Sequence, residues 1–100
     1  MESKTKRKSI LHILGRSYAL EILRAVNEKS MRFTDLKDVC KSNRTRSARI
    51  KELEDRGLIK AIPTKIRRRA YIFYEITPKG REVLDVCEKL LKLETTRVLS

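Results

Sequence analysis

The chain has 100 residues and a net charge of +12, with 25 Lys and Arg against 13 Asp and Glu. This length fits one domain with a small core, and so strong a basic excess indicates an anionic partner such as a nucleic acid. No apolar run approaches the roughly 18 residues of a membrane span, no signal peptide is visible, and no catalytic motif accompanies the single His, so we expect neither a membrane protein, nor an enzyme, nor a cofactor.

The N-terminal segment is basic and precedes a short predicted helix. Residues 1–8 carry four of the basic side chains, and we expect a flexible basic arm that either lies along DNA or is simply disordered. Ser9 can cap a helix over residues 10–14, because its oxygen can accept an unpaired N–H of the first turn. Gly15 would end that helix.

Two further helices and a short extended piece are predicted before the middle of the chain. Ser17 can cap a helix over residues 18–28, whose apolar positions repeat at helical spacing. Residues 31–33 read as an extended piece. Thr34 can then cap a helix over residues 35–41.

The segment KSNRTRSARIK, residues 41–51, holds five basic side chains and no acid. It predicts a helix over residues 43–56, capped by Ser42 and ended by Gly57. Ile50 and Leu53 lie three residues apart and can point into a core. A helix anchored in this way, with arginines near its N-terminal end, has what a DNA recognition helix needs.

After Gly57 the period of the apolar residues changes from helical to alternating. Residues 58–62 and 71–76 read as two strands. The polar and basic residues 63–70 between them suit the tip of a hairpin. Thr77 can cap a last helix that begins at Pro78 and reaches about residue 97.

The last helix has more apolar surface than one narrow stripe, so part of it should contact another chain or be absorbed by the core. The first helix is a plausible packing partner. For a dimer interface we expect Ile10, Leu11, Leu14, Leu84, Cys87, Leu90 and Leu91. The two cysteines, Cys40 and Cys87, are either small buried apolar residues or have a redox or intersubunit disulfide role.

The order of elements is that of a winged helix-turn-helix domain. Four segments carry a closer resemblance, namely LGRSYALEILRAV (14–26), MRFTDLK (31–37), SNRTRSARIKELEDRGLI (42–59) and YEITPKGREVL (74–84). They resemble motifs of the HxlR family of transcription regulators. The ArsR and MarR winged helices are related. The metal-binding cysteine motif of the ArsR family is absent, so we expect no metal site.

The resemblance implies a mainly α fold with a small β-hairpin (α+β), with extra terminal helices, in a single domain over residues 9–100. It also implies a homodimer that reads double-stranded DNA, with helix 43–56 in the major groove and wing 63–70 on the backbone or in the minor groove. The expected DNA-binding residues are Thr34, Ser42, Asn43, Arg44, Thr45, Arg46, Arg49, Lys65, Arg67, Arg68 and Arg69.

Several of these residues have more than one interpretation. Arg46 stands where the family usually has an apolar residue, so either the helix is rotated slightly or Arg46 itself contacts DNA. Asn43 could read adenine, bind phosphate or have no role in DNA binding. Ser42 and Thr34 could hold a phosphate at a helix N-terminus or serve only as caps.

Two other functions compete with a cytoplasmic, nucleoid-associated, sequence-specific regulator. An architectural protein that binds DNA with little sequence preference would use the same basic surface, because phosphate contacts carry no sequence information. A winged helix can also serve as a protein-interaction module. The arginines of residues 41–51 argue against that alternative, because the centre of a protein interface is depleted in charge.

Overall fold

The structure is a computed structural model, and it describes residues 9–95. The basic arm predicted over residues 1–8 and the predicted end of the last helix near residue 97 lie outside the described residues. The elements are α1 (Ile10–Leu14), α2 (Ala19–Glu28), β1 (Met31–Arg32), a 3₁₀ helix (Thr34–Asp38), α3 (Asn43–Asp55), β2 (Ile59–Ile66), β3 (Arg69–Ile76) and α4 (Pro78–Thr95).

The first two helices begin differently. In α1 the Ser9 hydroxyl accepts a hydrogen bond from the His12 backbone N–H at 3.1 Å, which confirms the predicted cap. The predicted cap of α2 by Ser17 is wrong. Tyr18 occupies the N-cap position in the left-handed conformation, with φ of 68°, and its side chain makes no capping hydrogen bond.

The predicted α-helix over residues 35–41 is a shorter 3₁₀ helix, and Thr34 is its first residue rather than its cap. Asp35 supports this turn instead. Its carboxylate accepts the Arg32 backbone N–H at 2.9 Å and the Arg32 guanidinium at 3.0 and 3.2 Å. These hydrogen bonds hold the pKa of Asp35 below its ordinary value. The Asp35 side chain therefore links the start of the 3₁₀ helix to β1.

The sheet is antiparallel, with strand order β1-β3-β2. Strands β2 and β3 pair from Ile59 opposite Ile76 to Ile66 opposite Arg69, so they are longer than predicted. The hairpin tip is only Arg67–Arg68, and not residues 63–70. Pro63 is tolerated inside β2 because an edge strand has a side without ladder partners.

One core unites the helices with the base of the hairpin. It contains Ile13, Ala19, Ile22, Leu23, Val26, Leu36, Cys40, Ile50, Leu53, Leu58, Ile59, Ile76 and Leu84. Helix α4 is tied to α2 by the Arg24 guanidinium, which donates to both Glu88 carboxylate oxygens at 2.7 and 3.0 Å. This core packs α3 against the base of the wing. Within residues 9–95, no helix is long and apolar enough to span a membrane.

Helix α3 ends in a Schellman motif, and α4 begins directly beside it. The Leu58 N–H donates to the Leu53 carbonyl at 2.9 Å, and Gly57 has φ of 75°, which confirms the predicted stop. The Thr77 hydroxyl accepts the Gly80 N–H at 2.9 Å and donates to the Gly57 carbonyl at 2.6 Å. Thr77 therefore caps α4 as predicted and also joins it to the end of α3.

Candidate nucleic-acid interface

Helix α3 has a buried face and an exposed basic face. Its N-terminus is capped as predicted, since the Ser42 hydroxyl accepts the Thr45 N–H at 3.1 Å. Ile50 and Leu53 are buried. The opposite side is exposed and presents, at helical spacing, Asn43, Arg44, Ser47 and Lys51. We call these four residues the α3 outer face.

The expectation that Arg46 reaches DNA is corrected by its burial, because only 2% of the residue is exposed. Its Nη1 donates to the Cys40 carbonyl at 2.6 Å, and its Nη2 donates to Asn43 Oδ1. The guanidinium carbon lies 4.2 Å from the centre of the Phe33 ring, in cation–π geometry. Arg46 therefore lies on the inner side of α3 and binds the preceding turn.

Arg49 is also turned inward, with 8% of the residue exposed. Its Nε donates to the Ser17 carbonyl at 2.9 Å, and its Nη1 donates to Glu52 at 3.2 Å. Glu52 also lies 3.8 Å from the Arg16 guanidinium. Arg49 thus connects the middle of α3 to the segment before α2, and the expectation that it contacts DNA is corrected too.

Sequence reasoning missed Ser47 and Lys51 as site residues. The signal was available, because Ile50 and Leu53 define a stripe that extends back through Arg46 and Arg49 at helical spacing. The residues opposite that stripe are those of the α3 outer face. The presence of arginine on the inner stripe obscured this pattern.

The remaining predicted DNA-binding residues of the helix-turn-helix differ in their exposure to solvent. The Ser42 hydroxyl is engaged as a cap, Thr45 is half-buried, and Thr34 is exposed at the start of the 3₁₀ helix. Asn43 and Arg44 are exposed in the first turn of α3. Of the arginines predicted on this helix, only Arg44 is in position to meet a ligand.

The wing presents four exposed cations, Lys65, Arg67, Arg68 and Arg69. None of the four forms an ion pair with another residue in the 9–95 range. Arg67 and Arg68 both have positive φ, 50° and 72°, as a type I′ turn requires. That conformation usually selects Asn and Gly, and it costs roughly 1–2 kcal/mol for each other residue. Two arginines therefore occupy turn positions where Asn and Gly would have the lower conformational energy.

An apolar groove lies between α1 and α4 on the surface. Its lining includes Ile10, Leu11, Leu14, Val83, Val86 and Cys87, and its volume is about 540 Å³. Leu11 is 79% exposed, and Leu93 at the far end of α4 is 70% exposed. Of the predicted interface residues, Leu90 is exposed and Leu91 is half-buried, whereas Leu84 belongs to the core. Val86 and Leu93 belong to the apolar surface predicted for the last helix but were not among the predicted interface residues.

The cysteines are both free thiols, with Cys40 buried and Cys87 half-buried. Burial raises the pKa of the Cys87 thiol, so the unreactive protonated form predominates at neutral pH. In the part of the chain from 9 to 95, no three His, Cys, Asp or Glu side chains are placed to hold a metal ion.

The amino-acid sequence of the chain is similar to those of known helix-turn-helix proteins. Residues 13–98 match the family of HxlR-like helix-turn-helix proteins. The chain is 34% identical over 92 residues to an uncharacterised HTH-type transcriptional regulator of Methanocaldococcus jannaschii, covering 86% of this chain and 79% of that protein. These matches are to regulators of transcription rather than enzymes, which confirms the prediction that the chain is not an enzyme.

Solved structures show the same winged-helix fold. A putative MarR-family regulator from Enterococcus faecalis superposes with a TM-score of 0.76 at 17% identity, covering 92% of this chain and 91% of that chain. A transcriptional regulator homologue from Pyrococcus horikoshii superposes with a TM-score of 0.71 at 27% identity, covering 82% and 83%. The predicted fold class is therefore confirmed.

Proposed function

The chain belongs to the HxlR-like helix-turn-helix family, and from that premise we propose that it regulates transcription by binding specific sites on double-stranded DNA as a homodimer. The α3 outer face carries this proposal. It offers two cations and two hydrogen-bonding side chains on the exposed side of α3, and all of them except Lys51 lie in the N-terminal half of the helix. The acids of α3, Glu52, Glu54 and Asp55, all lie toward its other end.

The N-terminal half of α3 would enter the major groove, as the recognition helix of such domains does. Arg44 is the residue we assign to base recognition, because its planar guanidinium can donate two hydrogen bonds to guanine O6 and N7. Lys51 lies two turns further along the same face and suits a phosphate. Ser47, between them, would bind either a base edge or the backbone.

The wing would bind the DNA backbone or the minor groove. Arg67 and Arg68 support this assignment, because they are exposed, lack acidic partners among the described residues and occupy a strained turn. Like charges at one tip repel each other unless an anion lies near. A phosphate backbone supplies that anion, and the affinity gained would be sequence-independent and salt-dependent.

The homodimer would form through α1 and α4. Leu11, Val86, Leu90 and Leu93 are more than half exposed. Leu11 and Val86 line the apolar groove, and Leu90 and Leu93 follow Val86 at helical spacing along α4. A contiguous apolar surface of this kind on a small domain marks an interaction site. A second copy of the chain would bury this surface. The dimer would then present two recognition helices to one operator in the nucleoid of the cytoplasm.

Selection of bound sequences from a random DNA pool at physiological salt tests the specificity. We expect a near-palindromic motif with half-sites about one helical turn apart. Arg44→Ala should reduce binding to that motif more than binding to random DNA. A pool without any enriched motif would contradict the proposal and favour an architectural protein of low sequence specificity.

Light scattering at micromolar concentration tests the dimer. The wild-type chain should have the mass of two copies, and Leu90→Glu should have the mass of one. Asn27→Glu is the matched control, since it adds the same charge at an exposed position of α2. A wild-type mass of one copy, or a dimer unaffected by Leu90→Glu and Leu11→Glu, would refute this interface.

A further inference from the structure

The Arg46 side chain is a buried cation without an acidic partner in the part of the chain that the structure describes. Its hydrogen bonds go to the Cys40 carbonyl and to the Asn43 amide oxygen, both of which are neutral. A buried charge costs free energy unless it is well solvated by its neighbours. The two hydrogen bonds that solvate the guanidinium therefore also restrict the orientation of the partner groups. Of these partners, Asn43 belongs to the α3 outer face.

The orientation of the Asn43 amide follows from the chemistry of its partner. A guanidinium has donors and no acceptor, so only Oδ1 of the amide can face Arg46. The amide nitrogen then points the other way, toward the exposed side of the first turn of α3. Nδ2 makes no hydrogen bond to any residue between 9 and 95. Its two N–H groups are thus free to meet a ligand.

We propose that Arg46 is a positioning residue that fixes the Asn43 amide with its nitrogen toward DNA, so that Asn43 recognises a hydrogen-bond acceptor. This inference rests on the proposed function. Asparagine normally reads adenine with both amide atoms, by accepting from N6 and donating to N7. With Oδ1 turned toward Arg46, Asn43 offers the donor alone. Guanine O6 and N7 or a phosphate oxygen fit that donor, and the two-bond contact with adenine does not form.

The Arg46 guanidinium also contacts groups other than Asn43. The Phe33 ring covers the guanidinium at 4.2 Å, and the Cys40 carbonyl fixes the other end of the fork. Phe33 immediately precedes the 3₁₀ helix and Cys40 follows it. Arg46 is therefore anchored to both ends of the first helix of the helix-turn-helix. The orientation of Asn43 is set by the turn itself and does not await DNA.

A double-mutant cycle on DNA binding tests the proposal. Asn43→Ala and Arg46→Met should each weaken operator binding by about 3- to 10-fold, the effect of one hydrogen bond, and the double variant should be no weaker than Asn43→Ala. Ser47→Ala is the matched control, because Ser47 is exposed on the same face and its side chain is not among the hydrogen-bond partners of the Arg46 guanidinium in residues 9–95. Its effect should multiply with that of Arg46→Met. Multiplying effects of Asn43→Ala and Arg46→Met would overturn the proposal, since a merely structural role of Arg46 gives that result.

The DNA sequences that the variant selects distinguish a base from a backbone phosphate as the acceptor that Asn43 recognises. If the partner is a base, repeating the selection with Arg46→Met should relax one position of the motif and admit adenine there. If it is a phosphate, the motif should stay the same and the weakening should be equal on all sequences. Both outcomes support a donor role, whereas a wild-type motif that already requires adenine opposite Asn43 contradicts it.

The free protein supplies a test that needs no DNA. Nuclear magnetic relaxation of the Asn43 side-chain ¹⁵N should show an ordered amide in the wild type and a mobile one in Arg46→Met and Arg46→Lys. A mobile wild-type amide overturns the inference. If Arg44→Ala abolishes operator binding while Asn43→Ala and Arg46→Met leave it intact, the inference fails and the proposed function stands.

Discussion

Substitution of Arg49 should affect folding rather than base recognition, although Arg49 and Arg44 belong to the same basic helix. Arg49→Ala removes the hydrogen bonds to the Ser17 carbonyl and to Glu52. Arg44→Ala removes an exposed side chain that has no such contacts. The two variants lose the same charge, so each is the control for the other. We expect Arg49→Ala to lower stability and Arg44→Ala to lower operator affinity.

The size of the stability loss follows from the contacts of Arg49. Hydrogen bonds from a charged donor contribute about 1.5–3 kcal/mol. Glu52 keeps Arg16 nearby, and Ser17 is exposed to water that can replace the missing donor. Both effects reduce the expected loss in the free energy of unfolding to about 2 kcal/mol, near the lower end of that range. For a domain of this size, that loss corresponds to a fall in Tm of roughly 8–16 °C.

Thermal unfolding and DNA binding together check this expectation. Tm is measured by circular dichroism, and affinity is then measured at a temperature where both variants are folded. Arg49→Ala should keep most of the wild-type discrimination between operator and random DNA, whereas Arg44→Ala should lose about 1–3 kcal/mol of it. An Arg49→Ala protein with an unchanged Tm and no remaining discrimination would refute the reasoning.

Three more predictions concern stability and charge. Gly80→Ala should cost about 3 kcal/mol in urea unfolding, because the new Cβ would lie 2.1 Å from a backbone carbonyl oxygen, whereas Gly15→Ala, with its nearest contact at 3.4 Å, should be nearly neutral. Asp35→Asn should cost at most about 1 kcal/mol at neutral pH, since the ion pair is partly exposed. Because the pKa of Asp35 is lowered in the folded state, that difference should shrink as the pH falls below the ordinary carboxyl pKa. It should vanish once the pH is below the lowered pKa of the folded state, where the wild-type side chain is protonated. Replacing Arg67–Arg68 by Asn-Gly should raise stability by about 1–2 kcal/mol in the same unfolding assay, since the turn is relieved of strain. The same change should flatten the salt dependence of DNA binding by about 0.9 log units for each phosphate that the wing no longer neutralises, and an unchanged slope would count against a phosphate role for the wing.

The features that could be predicted from sequence are those with local causes. The Ser42 cap, the Gly57 stop and the Thr77 cap each depend on a residue type and its immediate neighbours, and the structure confirms all three. The order of helices and strands followed from periodicity in the same way. The strand limits near residues 63–70 were less predictable, because pairing with β3 carries β2 through Pro63 and the basic residues that follow.

The features that could not be predicted depend on residues far along the chain. Arg49 is turned inward, where its Nε donates to the Ser17 carbonyl, 32 positions away. Arg46 is buried because Phe33 and the Cys40 carbonyl surround it. An arginine by itself predicts an exposed side chain, so a count of basic residues overstated the number of side chains available to DNA. Helical spacing from Ile50 and Leu53 is the better guide to the face that meets a ligand.

The junction between α3 and α4 would set the tolerance of this protein for operator spacing. The Thr77 hydroxyl donates to the Gly57 carbonyl, and Gly80 packs against the Leu58 carbonyl, so the start of α4 is in close contact with the end of α3. In a dimer formed through α1 and α4, the separation and rotational phase of the two recognition helices would therefore be fixed before DNA arrives. Inserting a single base pair between half-sites turns one of them by about 34–36° around the duplex axis. A dimer that is torsionally stiff at this joint would have to distort the DNA to engage both halves.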